Sequence, residues 1–211
     1  MKSTPFQILA RIRKAHGGPG AIVTPKDFLD LAGRAAVDQA LGRLARAGAI
    51  ARVARGIYHM PRVNRRLGLA IPPDPDEVAA AIARQTGSAV APSGAVAANR
   101  FGVTTQIAAN LVYVTTGRTR VVRVGRQVLR FKRVARRRLP DAGAAVQGAL
   151  QVLHMVGPRP DEATIAALRR HLTPRERRSL VEHARYDAAW VAESARRAAA
   201  PNRRGAAYGR G

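Results

Sequence analysis

Apolar side chains recur at helical spacing in three stretches at the start of the chain, and then begin to alternate. Phe6, Leu9 and Ile12, with Ile8 beside them, make one apolar face. Thr4-Pro5-Phe6-Gln7 opens that helix: Thr can cap, Pro suits the first helical position, and Gln7 can bond back. The glycines of "HGGPG" (16–20) end it. Thr24-Pro25-Lys26-Asp27 repeats the start signal for a short second helix holding Phe28, Leu29 and Leu31 inside. A third helix is predicted over 34–47, where Val37, Ala40, Leu41 and Leu44 fall at i, i+3, i+4 and i+7. Gly48 stops it. "IARVARGIYHMPR" (50–62) then places branched and aromatic arms about Arg55-Gly56, the pattern of a tight hairpin.

Beyond Pro61 the pattern lapses into a proline-rich joint, 62–73, where a domain boundary is expected. Asp74-Pro75-Asp76-Glu77 starts another helix, with Val78, Ala81 and Ile82 inward. A stretch poor in charge follows, with an extended piece and a short helix near 93–101. Strands are predicted over 111–115, 120–124 and 127–132, with turns at Thr116-Gly117 and Gly125-Arg126. The remainder is predicted helical: 142–156, 161–172, and from Thr173 onward. Thr173-Pro174-Arg175-Glu176 is a capping box. Leu180, Ala184, Ala188, Val191 and Ala195 form one stripe of the last helix. No internal repeat is evident, and residues 200–211 are expected to be a disordered tail. The expected class is therefore α+β, mostly helical. It has a domain over 1–62, a mixed α/β domain with a helical C-terminus over 74–199, and the tail.

Charge changes this picture most. The chain has 211 residues, with 37 Lys and Arg against 13 Asp and Glu, a formal net charge of +24. Self-repulsion on that scale is relieved by a polyanion, and nucleic acid is the leading candidate. An Ala- and Arg-rich composition also follows from a GC-rich genome, so placement carries more weight than amount. Residues 1–62 hold 11 basic and 3 acidic side chains, 63–117 hold 4 and 3, and 118–138 hold 10 and none. The apolar share of 46% argues against global disorder. No apolar stretch approaches ~18 residues, so a membrane span is not expected. The N-terminus lacks the apolar core of a signal peptide, and there is no cysteine. A soluble cytoplasmic protein is the simplest expectation.

Three helices followed by a hairpin within residues 1–62 is the order of a winged helix-turn-helix, whose third helix enters the major groove. Opposite Val37 and Leu41, the third helix carries Ala35, Gln39, Gly42, Arg43 and Arg46, with Arg34 and Asp38 flanking. Gln39 suits adenine, and Arg34 or Arg43 suits guanine. The hairpin turns at Arg55-Gly56 and adds Arg52 and Arg55 for phosphates or a narrow minor groove. Arg118, Arg120, Arg123, Arg126 and Arg130 are either a second nucleic-acid surface or the wet face of a half-exposed sheet.

Catalytic signals are absent. His16, His59, His154, His171 and His183 are scattered, without H-E-x-x-H or paired metal spacing. There is no P-loop or nucleophile elbow. Ser93-Gly94 reads as a cap or turn. No enzyme activity, metal or cofactor is expected.

Three phrases in order resemble the AbiEi family of bacterial antitoxins of type IV toxin–antitoxin and abortive-infection systems. They are "FLDLAGRAAVDQALGRLARAGAIARVARGIYHMPR", "PSGAVAANRFGVTTQ" and "LVYVTTG", within roughly residues 5–135. The resemblance implies an N-terminal winged helix that binds inverted repeats in the operon's own promoter and represses it. It also implies a following domain associated with neutralising a nucleotidyltransferase-like toxin. DNA-reading positions carry over to Arg34, Ala35, Gln39 and Arg43, and the wing to Arg55-Gly56. Arg136-Arg137-Arg138 and the Arg-rich C-terminus match nothing in that family. Two other readings stand beside it: a solitary transcriptional or nucleoid-associated regulator, and an RNA-binding module using 118–138.

Overall fold

The computed structural model describes residues 3–105 and 110–201. It is an α+β fold in which helix outweighs strand. Helix α1 spans Thr4–Ala15, strand β1 Ile22–Val23, and a single 3-10 turn Pro25–Phe28. Helix α2 spans Arg34–Arg46, and the hairpin is β2 (Ala51–Ala54) and β3 (Ile57–His59). The short second helix is thus a 3-10 turn, and Thr24 N–H donates to Asp27 Oδ2 at 2.7 Å across its start. On α1 the buried positions are Ile8 and Ile12, while Phe6 stays exposed. The two isoleucines, four apart, point at Phe28, Val37, Leu41 and Tyr58 in one core.

β1 has no periodic signal of its own. It exists because β3 pairs with it, Ile22 with His59 and Val23 with Tyr58. The sheet order is β1-β3-β2, so β3 is central. All three β3 residues are buried, as a strand covered on both faces must be. One face meets α1 and α2 through Val23 and Tyr58. The other offers Ile22 and Ile57, and here Val78, Ala81 and Ile82 of α3 (Pro75–Thr86) close over it.

The expected joint contains a small hairpin, β4 (Arg62–Asn64) with β5 (Leu69–Ile71), before α3 begins. Asn64 Oδ1 accepts from the N–H groups of Arg66 and Leu67 and closes its turn. α3 is capped by Asp74, which accepts from the N–H groups of Asp76 and Glu77, and it ends on Gly87 in the left-handed region. Next come β6 (Val90–Pro92), α4 (Gly94–Arg100), β7 (Leu111–Thr115), β8 (Arg120–Val124) and β9 (Gln127–Arg133). β9 lies between β7 and β8, parallel to the first and antiparallel to the second. Tyr113, Val122, Val124, Leu129 and Phe131 point inward to join Ile57 and the α3 residues.

Contacts divide the described chain into two compact units. One holds the chain up to Val90 together with Asn110–Ala135. The other holds the described residues from Ala91 to 105 and from Arg136 onward. This grouping differs from domains at 1–62 and 74–199. Helix α3 and strands β7 to β9 belong with the N-terminal block, because Ile22 and Ile57 need an apolar cover that residues 1–62 do not contain.

The second unit is helical: α4, then α5 (Ala144–Val156), α6 (Glu162–His171), α7 (Pro174–Ala184) and α8 (Ala189–Ala199). α5 is its centre, with every residue from Val146 to Leu153 buried. Its buried amides are satisfied: Gln147 donates to the Pro140 carbonyl at 3.0 Å and Gln151 to the Arg138 carbonyl at 3.2 Å. The capping box at Thr173 and Glu176 opens α7. The helix predicted from Thr173 onward is two helices. Asp187 bonds His154 at 2.8 Å and accepts from the Ala188 N–H at 2.8 Å, which breaks the run between them. Ala188 is therefore an exposed cap, while Leu180, Ala184, Val191 and Ala195 share the core. The expected tail lies outside the described residues, apart from 200–201, as does Gln106.

Candidate nucleic-acid interface

Helix α2 shows two chemically different sides. Val37, Ala40, Leu41 and Leu44 are buried, and the turn-by-turn opposite face is exposed at Arg34, Ala35, Gln39, Arg43 and Arg46. Gly42, on that face, has open space where a Cβ would stand. Arg34 is not free: its Nε donates to Asp38 Oδ2 at 2.9 Å in an i,i+4 pair. Gln39 and Arg43 carry no such tie among the described residues, so they are the better placed to meet a base edge. Arg46 leans back on its own helix, its Nε donating to the Gly42 carbonyl at 3.4 Å.

The hairpin turn is held from outside. Gln85 of α3 donates from Nε2 to the Arg55 carbonyl at 3.1 Å. Gly56 sits under that amide at φ +70°, buried, where a Cβ would overlap Gln85 Nε2. Gly56 therefore serves the turn and its packing and offers no exposed surface. The charged side chains that the hairpin exposes are Arg52 and Arg55. Gln85 carries no signal in the sequence, since a lone polar residue near a helix end is ordinary.

The five arginines between 118 and 130 do not share a face. Arg118 and Arg126 lie in or beside turns and are exposed. Arg120 pairs in register with Phe131 and is half-buried on the packed side. Arg123 and Arg130 stand on the outer side, with Lys132.

A polar cleft of about 700 Å³ also lies in the first unit, lined among others by His16, His59, Arg62, Asp74, Glu77 and Arg84. Arg84 is engaged there, its guanidinium donating to the Ile22 carbonyl at 3.2 Å. His59 is 5% exposed, and burial pushes its pKa below the usual histidine value. A neutral buried imidazole whose unfolded counterpart protonates near pH ~6.5 makes folding weaker as pH falls. The unfolded chain then binds the extra proton. Stability is expected to drop as pH is lowered through about 6.5 toward 5, and His59→Gln should flatten that part of the profile. Urea midpoints at pH 7.5 and 5.5 for both proteins check this; parallel losses would remove His59 as the cause.

Among the described residues no group of three His, Cys, Asp or Glu could hold a metal ion, and no helix is long and apolar enough to cross a membrane. The fold is that of an α+β protein whose N-terminal block runs helix, 3-10 turn, helix and hairpin, with one face of α2 exposed. The chain belongs to a family of unknown function (DUF6088), whose model matches residues 7–180. No curated protein and no solved structure matches it.

Proposed function

We propose that this chain is a DNA-binding transcriptional autorepressor and the antitoxin of a type IV toxin–antitoxin pair, opposing a nucleotidyltransferase-like toxin. One observation carries the DNA-binding part. The exposed face of α2 joins two readable side chains untied among the described residues, Gln39 and Arg43, to small neighbours, Ala35 and Gly42, and a hairpin with exposed Arg52 and Arg55 follows. Small residues let a helix approach base edges, and arginines outside the groove hold phosphates. The antitoxin part, AbiEi kinship included, is supported by the three ordered sequence phrases. Direct contact with the toxin is no part of the reading.

The test is binding to the duplex upstream of the chain's own reading frame. About six phosphate contacts would make the slope of log affinity against log salt roughly −5. Gln39→Ala or Arg43→Ala is expected to relax base preference, at about 1–3 kcal/mol per lost bidentate contact. Arg55→Ala is expected to weaken all duplexes alike and flatten the slope by about one unit. Equal affinity for the upstream duplex and a scrambled one at 150 mM salt would reject the repressor and leave a nucleoid-type regulator. For the antitoxin, the full chain is co-expressed with a nucleotidyltransferase encoded beside it, and absence of growth rescue rejects that role.

A further inference from the structure

The outer side of β7, β9 and β8 is unusual in what it lacks. No Asp or Glu occurs anywhere from residue 78 to residue 140. On the outer side, Arg130 of β9 pairs in register with Val112 on one neighbour and Val121 on the other. Lys132 pairs with Val114, and Arg123 with Val128. Cations and valines therefore alternate across the strands, with Arg123, Arg130 and Lys132 exposed and without an acidic partner among the described residues. Val121 is 56% exposed between them. Holding three unpaired cations within a few strand spacings, about 5 Å each, raises mutual repulsion that a polyanion removes.

We infer that this outer sheet face is a second phosphate-binding surface, which grips the backbone of duplex DNA beside the site read by α2. The inference rests on the DNA-binding reading above. Two observations select duplex backbone over single-stranded nucleic acid. Single strands are held by bases stacked on aromatic side chains, and the aromatics of these strands, Tyr113 and Phe131, are stacked on each other inside. The outer side has valines instead. In addition, β8 packs against hairpin strand β2 within the same compact unit, although the two lie in different sheets, so this face stands next to the part of the fold that would already lie on the backbone.

The experiment uses the full chain with three probes: a 60-bp duplex from directly upstream of its own reading frame, a 60-bp mixed-sequence duplex, and a 40-nucleotide single-stranded RNA. The triple variant R123Q/R130Q/K132Q is compared with R170Q/R175Q/R178Q, which removes the same charge from exposed positions of the helical unit. Three lost contacts should flatten the salt slope on both duplexes by about 2–3 units, with the preference for the upstream duplex kept; the control should change by less than one unit. A slope equal to the control's overturns the inference, as does loss confined to the RNA. A wild-type chain without preference between the duplexes would sink the repressor reading, and the slope difference would still judge the sheet. Should the triple variant fail to fold, Val121→Glu places a carboxylate on the same face. It should weaken both duplexes at least tenfold at 100 mM salt, and unchanged binding overturns the inference.

Discussion

A fragment of residues 1–62 is expected not to fold on its own, although it contains α1, α2 and the whole β1-β3-β2 sheet. In the intact chain Ile22 and Ile57 are 8% and 1% exposed, and their cover is Val78, Ala81 and Ile82 of α3 with Val122 of β8. Cutting after residue 62 returns both isoleucines to water, with Val53 and Ala54 packed beside them. Exposing two such side chains costs about 3–6 kcal/mol, which is comparable to the whole stability of a small domain. A chain of about 60 residues has little margin to absorb that. Gln85 would be lost as well, freeing the Arg55-Gly56 turn. Far-ultraviolet circular dichroism during a thermal scan decides it. The fragment should show no cooperative transition, or one more than 20 °C below the full chain, whereas a melt within a few degrees would show that α3 is not a structural cover. A fragment starting near residue 65 suffers the reciprocal loss, so repression and toxin neutralisation are better separated by point variants in the full chain.

Gly94→Val is expected to be among the most damaging single changes in the helical unit. Gly94 is the first residue of α4, and a Cβ there would stand 2.5 Å from Met155 Cβ and 2.7 Å from the Gln151 carbonyl oxygen of α5. The oxygen is backbone at the centre of a buried helix and has nowhere to retreat, so α4 and α5 must separate. Overpacking of this kind costs about 1–3 kcal/mol, and a branched side chain reaches the upper end. Gly94→Ala carries the more telling sign, because alanine in place of glycine normally favours a helix by about 1 kcal/mol. Here it should destabilise. Gly42→Ala is the contrast, in open space on α2, and should raise stability by up to about 1 kcal/mol. Urea unfolding of the three variants checks the set. A stable Gly94→Ala would mean that the two helices pack less closely than described.

Local periodicity decided a large part of this protein. The stripe Val37, Ala40, Leu41 and Leu44 sets both the helix and the face that α2 leaves to solvent, because buried and exposed sides follow from 3.6 residues per turn. The capping signals at Asp74-Pro75 and Thr173-Pro174 mark real starts, since the groups they satisfy are local; at the first helix Ser3 takes the cap position instead of Thr4, and no side chain caps it.

What covers the hairpin was decided only by tertiary structure. The hairpin strand β3 is covered on its second face by α3, which follows only after β4 and β5, and no local pattern says which apolar faces will meet. β1 is two residues long and exists through its partner, and the parallel pairing of β7 with β9 is non-local by nature. Ala188 fits the helical stripe in sequence, yet a bond between Asp187 and His154, 33 residues apart, breaks the helix there. The same holds for the arginines of 118–130. Alternation along a strand tells that neighbours point to opposite sides, but only the register across three strands assembles Arg123, Arg130 and Lys132 on one face and leaves Arg120 on the other. Sequence spacing settles what lies on one element; contact between elements depends on which hydrophobic surfaces remain to be buried after each has formed.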